Sequence, residues 1–505
     1  MDRRPWIVGL VLILTVAVTA CSDDEANSVV ANSGGECPAG QQMNAVTGLC
    51  MSDGTGTGAD GGGETPACVN LECRQVVCPS GSPTTTLSGT VTIPSGELPL
   101  PNAVVYVPNG PVDPIVQGAS CERCDEELSG SAVVETTTNT QGKFVLEDVP
   151  VGADIPLVIQ VGKWRRQITI PAVESCVDTP LDPVMTRLPR NQQEGDIPKI
   201  ALTTGGYDAL ECLLRKIGIQ ASEFTPEAGE GRVNLFAGHL GSERYDDSLH
   251  AGTYFTPARN WWSSLDNLKK YDIILHSCEG EPDEGNKPQI ARQALQDYAD
   301  MGGRVFLSHW HNIWLAGGPQ EFRSVASWGR GDVAPPDPVT AHIDTSFDKG
   351  QELADWMLET GGSAVHGRLL IREGRRTLDE VNPNLAQSWI WVEPTGTEWV
   401  QYFSFNTPVW AAEQQQCGRV VFSDIHVSSG DESRNRPFPT GCTTTGLSAQ
   451  EKALVFMLFD LSSCIIPDQE GRCQGLGESC SNHGDCCSNL CATEGGQSTG
   501  MCIVG

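Results

Sequence analysis

Nine histidines occur in 505 residues, and four of them close apolar runs. His276 ends YDIILH, His309 and His311 end RVFLSHWH, and His426 ends RVVFSDIH. Cys278 and Glu279 follow the first of these, and Asp424 stands two residues before the last. Imidazoles and carboxylates hold divalent metals or move protons near neutral pH. An imidazole beside a thiol activates a nucleophile. Two chemistries therefore fit. In one, His309, His311, His426 and Asp424 hold a divalent metal such as zinc, which polarises a substrate oxygen or activates water. His-x-His in an extended chain would aim both rings to one side, as this requires. In the other no metal binds, and His426 acts as base toward Cys278 or a substrate hydroxyl. A single histidine at a strand end is more often a packed structural residue than a ligand. Four at neighbouring strand ends mark a site worth testing.

The segment 196–466 must position these residues, and it alternates strand and helix. KIALTTGG reads as a strand entering a glycine turn, and DALECLLRKIG as a helix stopped at Gly218. YDIILHSCEGE, RVFLSHWHN and GRVVFSDIHVS read as further strands, with QIARQALQDYADMGG as a helix between the first two. Ser448 and Glu451 form a capping box for a helix over about 449–463. Such alternation predicts a doubly wound parallel α/β sheet of the flavodoxin-like kind, with ligands beyond the carboxyl ends of the strands. The histidines fall on that rim. His276, Glu279 and Trp310 are candidate binding residues there, and Trp310 and Trp314 offer faces to a sugar ring. Thr204, Gly205 and Gly206 could present backbone N–H groups to a ligand. Residues 223–265 and 317–400 read as large insertions.

The rest of the chain gives an address and accessory parts. Residues 1–20 carry Arg3 and Arg4 before an apolar run too short to span a bilayer, a signal-peptide pattern. Val18-Thr19-Ala20-Cys21 resembles the lipobox of bacterial lipoproteins. That implies acylation of Cys21 and lipid anchoring, and Ser22 after it implies export to the outer membrane, facing the periplasm or the cell surface. Residues 21–85 form a Gly-, Asp- and Thr-rich tether with too little apolar surface to order itself, where five cysteines staple small loops. Residues 86–176 read as a small all-β sandwich of short β-branched strands. The insert 121-CERC-124 lacks a second CxxC, so a disulfide, with Cys176 as the expected partner, is preferred to zinc. Net charge −31 excludes nucleic acid as a partner and keeps the surface self-repelling. Twenty cysteines in an exported chain imply disulfides, and without Cys21 their number is odd. One is therefore free or paired between molecules, and Cys278 is a candidate. Oligomeric state is not readable.

Three family resemblances add to this. 88-SGTVTI-93 with TTNTQGKFVLEDVPVGADIPLVIQV resembles the carboxypeptidase regulatory-like, or transthyretin-like, domain, which implies a buttressing or binding role without catalytic residues. In segment 470–505 the cysteines are spaced 6, 5, 0, 3 and 10 residues apart, which resembles an inhibitor cystine knot. That implies the pairs Cys473–Cys487, Cys480–Cys491 and Cys486–Cys502. DYADMGGRVFLSHWHN and CGRVVFSDIHVSSG resemble the class I glutamine-amidotransferase-like fold, within it the trehalose-utilisation (ThuA-like) branch. By that resemblance His309 falls where amidotransferases carry their nucleophile, and His426 where they carry the base. The elbow here is Ser308-His309-Trp310-His311 in place of G-x-C-x-G, so a glutaminase using a cysteine at that turn is not expected. A carbohydrate or cell-envelope ligand is implied by resemblance only. Two functions stay open: an anchored enzyme with a histidine-rich polar pocket, metal-assisted or not, and a non-catalytic binding or adhesion lipoprotein.

Overall fold

The computed structural model describes residues 41–43, 50–52, 68–329, 331–427, 430–466, 473–488, 490–493 and 499–504. The chain divides into two units, Met1–Ala67 and Cys68–Gly505. In the first, Gln41–Met43 pairs antiparallel with Cys50–Ser52. The signal segment, Cys21 and Cys37 lie outside the described residues. Among the described residues no helix is long and apolar enough to cross a membrane.

The second unit opens with seven strands: β1 (Thr86–Thr90), β2 (Val104–Pro108), β3 (Ala132–Thr137), β4 (Lys143–Leu146), β5 (Gly152–Val161), β6 (Trp164–Val173) and β7 (Asp178–Pro180). They form a three-stranded sheet, β4-β1-β7, and a four-stranded sheet, β3-β2-β5-β6. Leu87 and Phe144 of one sheet share a buried core with Val105 and Ile155 of the other. The same core continues into the α/β segment through Trp356 and Phe456.

That segment contains β8 (Ile200–Thr203), α1 (Leu210–Lys216), β9 (Val233–Ala237), β10 (Ile273–His276), α2 (Gln289–Asp300), β11 (Arg304–Ser308), β12 (Val339–Ile343), α3 (Asp348–Glu359), β13 (Arg368–Ile371), β14 (Gln387–Val392), β15 (Trp399–Thr407), β16 (Gly418–Ser423) and α4 (Ala449–Ser462). The sheet order is β9-β8-β10-β11-β16-β15-β14-β12-β13, with Phe224–Thr225 and Thr256–Pro257 as short additions beside β9. Pairing is parallel from β9 to β16 and antiparallel from there to β13. Successive residues in the parallel strands enter different cores. Ile273, Leu275, Phe306 and Val421 join one, while Ile274, Val305, Leu307, Val420 and Phe422 join the other. Two-sided burial is why these strands read as continuous apolar runs. The capping box of α4 forms, with Ser448 Oγ accepting from Glu451 N–H (3.1 Å) and Glu451 Oε2 accepting from Ser448 N–H (2.8 Å).

Several expectations change. The sheet is mixed, not wholly parallel. Residues 317–400 are no irregular insertion: β12, β13 and β14 come from them and extend the sheet. Residues 223–265 likewise supply β9, a partner of β8. Cys121 pairs with Cys417 and Cys124 with Cys464, joining the β segment to the α/β sheet. Cys176 instead pairs with Cys78, while Cys68–Cys73 is a local staple within the tether. Near the C-terminus the pairs are Cys473–Cys487, Cys480–Cys491 and Cys486–Cys502. Cys278 is the free cysteine among the described residues, and it is buried.

Candidate functional site

The carboxyl ends of β8, β10, β11 and β16 meet around Cys278. Its backbone enters at a close approach: a Cβ on Gly205 would sit 2.2 Å from the Cys278 carbonyl oxygen. Gly280, at φ +88°, lets the chain turn back under the Tyr207 ring, where its N–H donates to Cys278 Sγ (3.4 Å). After Ser308 the chain stops being extended. His309 adopts φ +42°, a left-handed conformation costly for a residue with a Cβ, and a turn of 3₁₀ helix carries His309–Asn312. This turn brings His309 Nδ1 within 3.4 Å of Cys278 Sγ. His426 arrives from β16 with its ring centroid 4.8 Å from that of His309, edge to face. Ligand atoms of Cys278, His309 and His426 all lie within 4.8 Å of one another.

Each imidazole has a carboxylate behind it. His426 Nδ1 lies 3.3 Å from Asp208 Oδ1. Asp208 is fixed in turn by the N–H groups of Val427 (2.8 Å) and Cys278 (3.2 Å) and by the Ser308 hydroxyl. His309 Nε2 lies 3.3 Å from Asp332 Oδ1, an ion-pair separation without the alignment of a hydrogen bond. Arg375 in turn stands 3.4 Å from Asp332 Oδ2. Cys278 is 0%, His309 2% and His426 3% exposed, so solvent barely reaches the centre.

The electrostatics follow from this packing. Burial raises the Cys278 thiol, but hydrogen bonding with His309 and His426 outweighs it and the thiol lies below its ordinary value. Burial lowers His309, yet Asp332 and Cys278 carry it up to about 9. Burial also lowers His426, and the charge and hydrogen bond of Asp208 overcome it, leaving the ring well above its usual range. Asp208, despite burial, is held low by His426, Ser308 and the Val427 N–H.

The other candidates go elsewhere. His311 does not join His309, because the 3₁₀ turn sends its ring toward His276 and Trp314. There Nε2–H donates to the Ser277 carbonyl (2.9 Å) and Nδ1 accepts from Trp314 Nε1–H (2.8 Å). Both nitrogens are thus occupied, and burial with His276 and Lys287 nearby keeps the ring neutral. His276 stacks on His311 (4.8 Å) and Trp314 (5.3 Å), and burial lowers its pKa to about 3. It is a packing residue. Asp424 turns from the cluster to accept from Thr377 N–H (2.8 Å) and its hydroxyl (2.9 Å). Burial lifts its carboxyl to about 6. Glu279 accepts from Lys287 Nζ (2.5 Å) and His239 N–H (2.8 Å). Thr204 gives its hydroxyl to the Ser242 carbonyl (2.7 Å) and its N–H to Phe236 (2.9 Å). Gly205 and Gly206 serve close packing, Gly206 against Leu240. Trp310 is half-buried beside His309 (ring centroids 4.8 Å).

Sequence reading passed over Asp208 and Asp332. Asp208 sits two residues beyond the TTGG turn already singled out, and a carboxylate there was the available signal. Asp332 lies in a segment without periodicity, and nothing local marks it.

A cavity of about 260 Å³ opens at the carboxyl end of β9, lined by Glu243, Tyr254, Arg259, Trp262, Glu279 and Asp283 among others; Cys278, His309 and His426 do not line it.

No protein family and no curated protein matches the chain. Among solved structures it is similar to a ThuA-like protein from Bacteroides uniformis, with 12% identity, 52% of this chain and 90% of that one covered, and a TM-score of 0.27. A ThuA-like protein from Parabacteroides merdae gives 11% identity, 55% and 94% coverage, and a TM-score of 0.27. A chain of a type II cohesin–X-dockerin complex from Acetivibrio cellulolyticus gives 15%, 29%, 78% and 0.14 in the same order. At these scores nothing about a neighbour's role passes to this chain.

Proposed function

We propose that the α/β segment is a hydrolytic enzyme whose reaction centre is Cys278, His309 and His426. It acts on carbohydrate or cell-envelope material and is held at the outer membrane by a lipid on Cys21. The observation that carries this reading is a free, buried thiol flanked by two imidazoles, each backed by its own carboxylate. His426, held in its protonated form by Asp208, stabilises the Cys278 thiolate and can give its proton to the leaving group, and Asp208 is a positioning residue. The cavity at the carboxyl end of β9 supports a polyhydroxylated substrate: Tyr254 offers an exposed ring face, and Glu243, Arg259 and Asp283 offer hydrogen bonds.

The test is turnover by the full chain on a panel of glycosides and envelope fragments. Cys278→Ala, His309→Ala and His426→Ala should each lower it by about 100-fold or more in protein that still folds, His426→Ala with a lowered denaturation midpoint because Asp208 is left buried without its charge partner. Equal turnover in all three refutes the reading. The near-complete burial of the cluster favours a second reading, a non-catalytic binding lipoprotein. No turnover on any substrate, with Cys278 inert to small alkylating agents in the native state, would establish that reading instead.

A further inference from the structure

The geometry points to a divalent-metal site formed by Cys278 Sγ, His309 Nδ1 and His426 Nε2, with Asp332 and Asp208 as the outer carboxylates and zinc as the fitting ion. This deepens the proposed function, since it names the cofactor of the same centre. A cysteine nucleophile needs one imidazole and one orienting carboxylate. Here a second imidazole reaches the same thiol and brings a second carboxylate on its far nitrogen. The redundancy has a direct explanation in metal binding. Imidazoles that ligate a metal place their other nitrogen against a carboxylate, which sets the tautomer and raises the basicity of the ligating atom. His309 has Nε2 against Asp332, so Nδ1 is its ligand atom. His426 has Nδ1 against Asp208, so Nε2 is its ligand atom.

Spacing agrees. With zinc–sulfur near 2.3 Å and zinc–nitrogen near 2.0–2.1 Å, neighbouring atoms of a tetrahedral set are roughly 3.3–3.6 Å apart. Cys278 Sγ and His309 Nδ1 are 3.4 Å apart, inside that range, and with one ring nitrogen of His426 they form a set whose atoms all lie within 4.8 Å of one another, which a bound ion would draw together. Three protein ligands leave a fourth position, the arrangement of catalytic rather than structural zinc. The cluster also explains why Cys278 stays a free thiol in a chain with eight disulfides among its described residues, because ligation protects sulfur from oxidation. His311 and Asp424 are not ligands, since their polar atoms are bonded elsewhere.

The experiment uses the full chain, with metal content per molecule and titration with cobalt(II), whose thiolate complexes absorb by sulfur-to-metal charge transfer. One equivalent of zinc is expected after reconstitution. The charge-transfer band should vanish in Cys278→Ser, and affinity should fall about 10- to 100-fold in Asp332→Asn, a partly exposed change that spares the core. His311→Gln should keep the metal. Failure to bind any equivalent, or an unchanged cobalt spectrum in Cys278→Ser, overturns the metal site. If metal-free protein still turns over substrate and alkylation of Cys278 stops it, the metal inference fails while the proposed function stands. If metal binds as described but no mutant changes turnover, the reverse holds.

Discussion

Replacing Asp208 by Asn tests whether one buried carboxylate assembles the centre. Oδ1 accepts from Val427 N–H (2.8 Å) and faces His426 Nδ1 (3.3 Å), while Oδ2 accepts from Cys278 N–H (3.2 Å) and the Ser308 hydroxyl. Asn keeps the shape but turns one oxygen into a donor, which in either orientation faces a backbone N–H that cannot rotate. Leaving such a buried donor unpaired costs about 1–3 kcal/mol, and the weakened partner beside it about 1 kcal/mol more. We expect a loss of about 2–4 kcal/mol. At roughly 2.1 cal/mol/K per residue, a cooperative unit of about four hundred residues has an unfolding entropy near 0.85 kcal/mol/K, so Tm should fall by about 2–5 °C. Asp178 is the control, because it accepts from the Thr86 and Ser88 hydroxyls (both 2.7 Å) at an exposed site where hydroxyls rotate and water substitutes. Asp178→Asn should stay within about 0.5 kcal/mol of wild type. Thermal and guanidinium unfolding with disulfides intact measure both. An Asp208→Asn loss no larger than that of Asp178→Asn would refute the claim that this carboxylate joins Cys278, Ser308 and His426.

Three more outcomes follow from the structure. Lys216 bridges Asp431 and Glu451 at 2.7 Å each with all three side chains nearly buried. Lys216→Met leaves two carboxylates without that cation and should cost about 3–5 kcal/mol, read from the guanidinium midpoint. Burial, with Glu321 nearby, raises the Asp300 carboxyl from 3.8 to about 7. A raised carboxyl binds its proton more tightly when folded, so its contribution is present below about pH 4 and is lost as pH climbs to 7. Asp300→Asn should therefore shrink the fall in Tm between pH 5 and pH 8, and an unchanged fall counts against the shift. Removing Cys121–Cys417 and Cys124–Cys464 by four serines releases cross-links spanning 296 and 340 residues. It should cost about 2–5 kcal/mol per bridge, and a change under about 1 kcal/mol in total would show that packing alone joins the segments.

Parts of this architecture are legible in local sequence. The strand of Ile273–His276, the helix of Gln289–Asp300 and the capping box at Ser448 each rest on patterns a few residues long, and each forms where that pattern stands. β12 to β14 were harder to read. Val339–Ile343 and Arg368–Ile371 are short, and they become strands because the antiparallel edge beyond β15 gives their backbones partners. β9 was hidden for a similar reason, lying among glycine, serine and aspartate signals that suggested loop.

Residue type and strand-end position by themselves determined that Cys278, His309 and His426 belong to one rim, because the carboxyl ends of parallel strands lie side by side whatever the loops do. Which atoms meet was decided only in three dimensions. The left-handed turn at His309 separates it from His311, two residues away, and no spacing rule contains that reversal. Asp208 and Asp332 join the centre from loops distant in sequence, since a buried imidazole needs a charged partner and the packed chain supplies the nearest carboxylate. Local pattern can place side chains along a strand, but only the closing of loops over the sheet can choose their partners.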